Sequence, residues 1–338
     1  MELTFRAARL DDFEAFYACC YSTFGYSDIF KAEVGAEWAT FRQNPNALSV
    51  VVEDLDRAVG ERVVGCAEAV FIADAFAEAA KTGKRPFLNK QIAELAQRGN
   101  SPILDMPQIR IAQVGEGITL YIPYVGWRES VLNPDEAWKV REYTNRALNT
   151  LGLGYYYREV MIEVAGEISR NRGLDAGFYL RTDYAPYYHA LQGSDGQSAE
   201  IRLPSPEFQP YLLSLMRSEA AQRDGSMLSN TFIYSKPRLG FKPHEQELLC
   251  WAIQGRSDEE IAPFVHVSTV AIKKRWDTIY HRVETQLPSL LPAGGNGRRG
   301  PEKRGLLLAY LRDHPEELRP CIVPLRGYGL PLQEKSGS

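Results

Sequence analysis

The stretch from Phe241 to Val283, FKPHEQELLCWAIQGRSDEEIAPFVHVSTVAIKKRWDTIYHRV, constrains the fold of this chain more than any other. It divides into three helical patterns separated by two small breaks. Pro243 suits the opening of the first helix, where its missing N–H is one of the donors a helix leaves unpaired anyway, and Glu245 and Glu247 complement the dipole at that end. Leu248, Leu249, Trp251, Ala252 and Ile253 supply an apolar face before Gly255 ends the helix. Ser257, followed three residues later by Glu260, forms a capping box, so a second helix starts there and carries Ile261, Ala262 and Val265 inward. His266 sits where the chain must turn. Ser268 caps a third, longer helix with Val270, Ile272, Trp276, Ile279, Tyr280 and Val283 as buried candidates. Lys273, Lys274 and Arg275 form a basic cluster near its start.

A short helix, a tight turn and a second helix with a basic leading half is the layout of a helix-turn-helix, whose second helix enters the major groove of DNA. The segment resembles the LuxR-type helix-turn-helix without a gap. The family's P-x-E-x-E-h-L is Pro243, Glu245, Glu247, Leu248 and Leu249, its G-x-S is Gly255 and Ser257, and its E-I-A is Glu260, Ile261 and Ala262. Its h-S and V-K positions are Val267, Ser268, Ile272 and Lys273. Three positions depart from it. His266 stands where the family has Gly, at a site expected to need a left-handed backbone. Pro263 falls inside the second helix and should kink or shorten it, and Ala271 replaces a Thr. The resemblance implies a transcriptional regulator that binds double-stranded DNA as a homodimer. It places Ser268, Thr269 and Lys273 on bases or backbone and Lys274, Arg275 and Arg282 on phosphates. From Gly240 to Thr285 six basic residues face seven acidic ones, so the case for DNA rests on where the charges lie and not on their sum. A helical module that docks another protein is the competing reading.

The whole chain has 338 residues, 44% of them hydrophobic, enough for two domains with their own cores. A net charge of −4 suits a cytoplasmic protein and argues against a general nucleic-acid coat. The opening MELTFRAARLDDFEAF lacks the basic-then-apolar pattern of a secretory signal, and no apolar run is long enough for a membrane span. The five cysteines fit neither a disulfide framework nor a zinc pattern, so buried free thiols are expected, and no metal or cofactor.

Ahead of this segment, strands and helices alternate. Leu3 to Arg6 reads as a strand, and a helix bearing Phe13, Phe16, Tyr17 and Cys20 follows. Phe30 to Phe41 reads as a second helix, and Leu48 to Val52 with Arg62 to Ile72 as a hairpin. A helix near Asn89 to Gln97, a strand over Gly117 to Val125, a long helix from Asn133 to Leu151, a strand over Tyr155 to Ala165, a helix over Glu167 to Arg172 and a last strand to Tyr184 complete the series. This order is similar to the GNAT N-acetyltransferase fold. Arg6, Ala7, Ala8, Asp11, Asp12 and Phe13 are like that family's first strand and helix, and Gly177-Phe178 is like its closing Gly-Phe.

The family's chemistry is where the match fails. Its acetyl-CoA pyrophosphate needs successive backbone N–H groups in a Gly-rich turn after the fourth strand. Here that stretch runs from Gly126 to Pro134 with one glycine and two acids close by. The family's usual general-acid Tyr is Gly173. No catalytic residue is therefore assigned, and the chain is expected not to be an enzyme. Glu159 and Glu163 read either as possible bases or as a solvated strand face. Tyr121, Tyr124, Trp127, Arg128 and Tyr156 are the candidates for binding a small-molecule effector, against the alternative that they only pack the sheet.

The expected organisation is an α/β, GNAT-like mixed-sheet domain over residues 1–191, a linker with a connecting helix from Pro206 to Arg223 over 192–239, a small all-α helix-turn-helix domain over 240–315, and a tail over 316–338. In the fourth helix of the last domain, Leu306, Leu307, Ala309, Tyr310 and Leu311 are the candidates for a dimer seam. The function so implied is a DNA-binding regulator of LuxR type. Its alternatives are an acetyltransferase-like enzyme with an accessory helix-turn-helix, or an interaction module without DNA binding.

Overall fold

Runs of valine and other apolar residues too short for buried helices, such as VVV at Val50–Val52 and AVFI at Ala69–Ile72, become strands buried on both faces. In the computed structural model, which describes residues 1–21, 28–186, 209–222, 227–291 and 299–320, these strands are the middle of a seven-stranded sheet. The first compact unit comprises Met1–Gly152 and Tyr156–Phe232. In chain order it runs β1 (Leu3–Ala7), α1 (Phe13–Cys20), α2 (Asp28–Gln43), β2 (Leu48–Asp54), β3 (Val63–Ile72), α3 (Asp74–Thr82), α4 (Leu88–Gln97) and α5 (Met106–Val114). It continues β4 (Ile118–Trp127), α6 (Pro134–Gly152), β5 (Tyr157–Ala165), α7 (Glu167–Ala176), β6 (Tyr179–Asp183), β7 (Pro210–Met216) and α8 (Arg217–Ala220).

The strand order is β1-β2-β3-β4-β5-β7-β6, and every pairing is antiparallel except β4 with β5. That parallel pairing runs only from Ile118 to Ile122 on β4. Pro123, with no N–H to give, follows, and Tyr124 to Trp127 then pair with β3 alone. The sheet thus opens between β4 and β5 on the side toward which both strands run. Helices α1 and α2 cover one face through Phe16, Val34, Trp38 and Phe41, which pack on Val51, Val70, Tyr121 and Tyr124. Helix α6 covers the other, with Val140 against Val52 and Val64. Its approach requires glycine at Gly65, where a Cβ would stand 2.5 Å from Thr144 Oγ1.

Two expectations are corrected here. The apolar pattern over Pro206–Arg223 reads as a helix, yet Pro210–Met216 is a strand inserted between β5 and β6, and only Arg217–Ala220 is helical. A continuous run such as Tyr211-Leu212-Leu213 satisfies either period, and two waiting strand edges decide the matter. Helices α3 and α5 occupy stretches to which the sequence pattern assigns no helix or strand. The first part of the expected linker, residues 192–208, lies outside the described residues.

The second unit comprises Leu153–Tyr155 and Ile233–Pro324. Its helices are α9 (Pro243–Ile253), α10 (Asp258–Ile261), α11 (Thr269–Gln286) and α12 (Arg299–Asp313), followed by a 3-10 turn at Pro315–Leu318. Leu248, Leu249, Trp251, Ile261, Ile272, Trp276, Ile279, Val283, Leu307 and Leu311 form its core. Ser257 and Glu260 close their capping box, Ser268 Oγ accepts from the Ala271 N–H at 3.2 Å, and His266 is left-handed at φ 51°. Helix α10 stops at Ile261, two residues before Pro263. Val270, expected to be buried, is exposed.

Candidate active site

Beside the opening between β4 and β5 lies a cavity of about 150 Å³. Helix α2 contributes Phe30, Glu33, Val34 and Glu37 to it, residues at i, i+3, i+4 and i+7 and hence on one helical face. Phe87, Asn89 and Lys90 come from the start of α4, Tyr21 from the end of α1, and Glu163 from the end of β5. Three carboxylates, with Lys90 as counter-charge, thus meet three aromatic rings.

Two of those carboxyls hold protons unusually well. Burial pushes Glu37 from 4.5 up to about 7, helped by the charges of Glu33 and Glu163 and opposed by Lys90 and by a bond from Tyr124, whose hydroxyl donates to Oε2 at 3.2 Å. Burial likewise pushes Glu163 up to about 7, against the pull of two N–H groups that donate to it, Leu88 at 2.7 Å and Phe87 at 2.8 Å. Those two bonds hold Phe87 in a left-handed conformation, φ 67°, which costs a non-glycine residue about 1 kcal/mol and persists only where the surroundings fix it. Asn89 accepts from the Tyr121 hydroxyl at 2.7 Å and donates to the carbonyl of Pro123 at 3.3 Å, the residue at which β4 leaves β5.

The structure brings together some of the side chains singled out in the sequence and separates others. Tyr121 and Tyr124 are buried behind the cavity wall, where their hydroxyls orient Asn89 and Glu37. Trp127 packs toward α6 with the Arg141 guanidinium 6.0 Å from its ring centre, and the backbone N–H of Arg128 donates to Val64. Tyr156, just before β5, lies under Arg217 at 4.3 Å. The reading of Glu159 and Glu163 as a solvated strand face is corrected. Glu159 is fully buried, taking 2.5 Å and 3.0 Å bonds from Ser214 Oγ and Lys81 Nζ, and Glu163 caps α4. Glu33, Glu37, Asn89 and Lys90 were not anticipated. The available signal was two carboxylates four residues apart on the otherwise apolar side of α2.

The turn from β4 into α6 decides whether a pyrophosphate fits. Five of its eight N–H groups from Arg128 to Glu136 are spent within the protein. Arg128 donates to the Val64 carbonyl, Val131 to Arg128, Leu132 to Glu129, Asn133 to the Glu136 carboxylate at 3.0 Å, and Glu136 back to Asn133 Oδ1 at 3.0 Å. Pro134 has none, so the unspent donors are those of Glu129, Ser130 and Asp135, two of them on acids. These residues do not fit coenzyme A. At position 173, where the fold's usual tyrosine would stand, a Cβ would lie 2.4 Å from Leu213 Cδ1.

On the second unit Lys273 and Lys274 are exposed, Thr269 and Arg275 are half-buried, and Ser268 is engaged in capping α11. Arg282 is drawn inward to the fully buried Glu245, Nε to Oε2 at 3.2 Å. Leu307 and Leu311 are buried within the unit, and Leu306 is exposed. Among the described residues, no helix is long and apolar enough to cross a membrane and no group of three side chains could hold a metal ion.

No protein-family profile and no curated protein matches the chain. Solved structures do. The C-terminal condensation domain of Ebony in complex with β-alanyl-dopamine is 12% identical, with 64% of this chain and 99% of that one covered and a TM-score of 0.39. A mosquito arylalkylamine N-acetyltransferase like 5b is 12% identical, with 64% and 100% covered and a TM-score of 0.36. NAA60 of Arabidopsis thaliana in complex with acetyl-CoA is 15% identical, with 64% and 98% covered and a TM-score of 0.35. The first unit resembles the GNAT N-acetyltransferase fold, and none of these structures points to a LuxR-type helix-turn-helix. Against the expectation that the chain is not an enzyme, the structures it resembles include N-acetyltransferases.

Proposed function

We propose that the first unit is an acyltransferase that moves an acyl group from a thioester to an amine held in the cavity, with Glu37 as general base. The observation that carries this reading is a carboxyl with a pKa of about 7 on the wall of an aromatic, acid-lined cavity beside the open end of the β4–β5 pair. An amine arrives as an ammonium ion, which the Glu33, Glu37 and Glu163 carboxylates and the faces of Tyr21, Phe30 and Phe87 attract. It must lose a proton before it can attack, and a base that titrates near the working pH does this best. Glu37 takes that proton. The free nitrogen then attacks the thioester carbonyl, the C–N bond forms, the C–S bond breaks, and the second N–H proton goes to the departing thiolate. Gly173 offers no acid for that last transfer, so the thiolate takes the amine's own proton.

The test is acyl transfer from small thioesters to a panel of primary amines. Glu37→Gln should lower kcat by roughly 10²-fold or more, and the wild-type rate should rise with pH through an inflection near 7. Unchanged turnover in the variant rejects the assignment.

The second unit supports an additional reading, binding of double-stranded DNA by α11. The left-handed turn at His266 and the Ser268 cap leave Lys273 and Lys274 exposed on the leading half of that helix. Replacing both lysines by alanine should weaken duplex binding and flatten its dependence on log salt by about 2. An unchanged salt slope excludes contact through these residues.

A further inference from the structure

We infer that the acyl donor at this site is a thioester whose carrier presents no diphosphate to the β4–α6 turn. This rests on the acyl-transfer reading and deepens it. A diphosphate is held by consecutive backbone N–H groups that have no other acceptor, usually at a helix N-terminus. Helix α6 begins at the expected place, but its own side chains close its end. Asn133 Oδ1 takes the Glu136 N–H, and Glu136 Oε2 takes the Asn133 N–H, both at 3.0 Å. This reciprocal box satisfies two donors a phosphate would need and leaves a carboxylate in the place of the phosphate. The 3-10 turn before it consumes the N–H groups of Val131 and Leu132, and Pro134 removes another. Glu129 and Asp135 add negative charge on either side. Of the two nearby cations, Arg141 stands over the Trp127 ring within 4.0 Å of Glu142, and Arg128, whose buried Nε has no hydrogen-bond partner among the described residues, is outnumbered by the carboxylates of Glu129, Asp135 and Glu136. A donor that needs neither diphosphate nor nucleotide loses nothing here, whereas a nucleotide-bearing one meets repulsion with few compensating bonds. A small-molecule thioester and a thioester on the pantetheine arm of a carrier protein share this chemistry.

The experiment compares donors on the full-length chain with one amine acceptor. Acetyl-CoA, acetyl-pantetheine, S-acetyl-N-acetylcysteamine and an acetylated carrier protein are supplied in turn, and CoA binding is measured separately by calorimetry. The expected result is a kcat/KM for acetyl-pantetheine equal to or above that for acetyl-CoA, with CoA and pantetheine indistinguishable in the calorimeter. The last two donors show whether the natural carrier is a small thiol or a protein. A preference of a hundredfold or more for acetyl-CoA overturns the inference, as does CoA affinity that drops tenfold or more when the diphosphate is removed. If no donor supports transfer, the acyl-transfer reading falls, while the calorimetry still decides whether this turn holds a diphosphate. A gain-of-function variant gives an independent check. Asn133→Gly with Glu136→Ala frees two N–H groups and one charge, and should raise affinity for CoA at least tenfold over wild type. No gain means that the capping box is not what keeps the diphosphate out, and that overturns the argument.

Discussion

Glu37 ionises near 4.5 in an unfolded chain and near 7 in the folded protein, where burial disfavours its charge. Between those two values the folded state keeps a proton that the unfolded state has released. Stability therefore falls as pH rises through that window and stays reduced above it, the opposite of a salt-bridged carboxylate. At ~1.4 kcal/mol for each tenfold change in proton affinity, the gap amounts to about 3 kcal/mol at pH 8, an upper value because Glu37 is only partly shielded from water. Glu37→Gln removes the charge while its amide oxygen still accepts from Tyr124. At pH 5, where both side chains are neutral in the folded protein, the variant should exceed wild type in urea unfolding by less than about 1 kcal/mol, the part already lost because Glu37 ionises in the unfolded chain. At pH 8 it should be more stable by up to about 3 kcal/mol, which moves the midpoint by about 1 M or more. Glu163 and Glu68, raised by burial to about 7 and about 8, titrate in both proteins and largely cancel in the difference. The loss of the Glu37 charge also relieves Glu163, so the measured difference belongs to the pair. The same difference in unfolding free energy at pH 5 and pH 8 would show that Glu37 ionises normally, and the proposed base would lose its physical ground.

Three other perturbations probe the frame around the sites. His266→Gly should stabilise the second unit by about 0.5–1 kcal/mol, since an exposed histidine at φ 51° pays for a backbone glycine adopts freely; a lower midpoint in denaturant would contradict this. Gly65→Ala should destabilise the first unit by about 1–3 kcal/mol, because the added methyl meets Thr144 at 2.5 Å and Val140 at 2.9 Å, and thermal unfolding at or above the wild-type temperature would mean that α6 yields at no cost. The Cys20 and Cys66 sulfurs lie 3.5 Å apart, so hydrogen peroxide should yield a Cys20–Cys66 linked peptide in mass spectrometry that Cys66→Ser abolishes; its absence in oxidised wild type would argue that α1 and β3 cannot close the remaining gap.

What could be read from the residues, and what could not, divides by how far along the chain the cause lies. The Ser257–Glu260 box, the Ser268 cap and the left-handed turn at His266 are made by residues within four positions of one another, and each stands where the pattern puts it. Val270 could have been placed correctly by the same local logic. Ile272, Trp276, Ile279 and Val283 fix the buried side of α11, and a residue two before Ile272 falls away from it. The Asp105–Gln108 capping box that starts α5 is equally local, four residues that announce a helix. Strand β7 is different in kind, because nothing inside Tyr211–Leu215 says that β5 and β6 leave room between them. Glu37 is different in the same way. Its place on α2 follows from spacing, but its affinity for a proton comes from burial by other elements and from the charges of Glu33 and Glu163, against the opposing pull of Tyr124, 87 residues away, and Lys90. By contrast, the closure of the α6 terminus is written in the tetrapeptide Asn133-Pro134-Asp135-Glu136, where a missing donor, an added charge and a reciprocal cap all lie within one turn. The turn that would hold a nucleotide and the cavity that would hold an amine are separate constructions, and only the first could be judged from neighbouring residues.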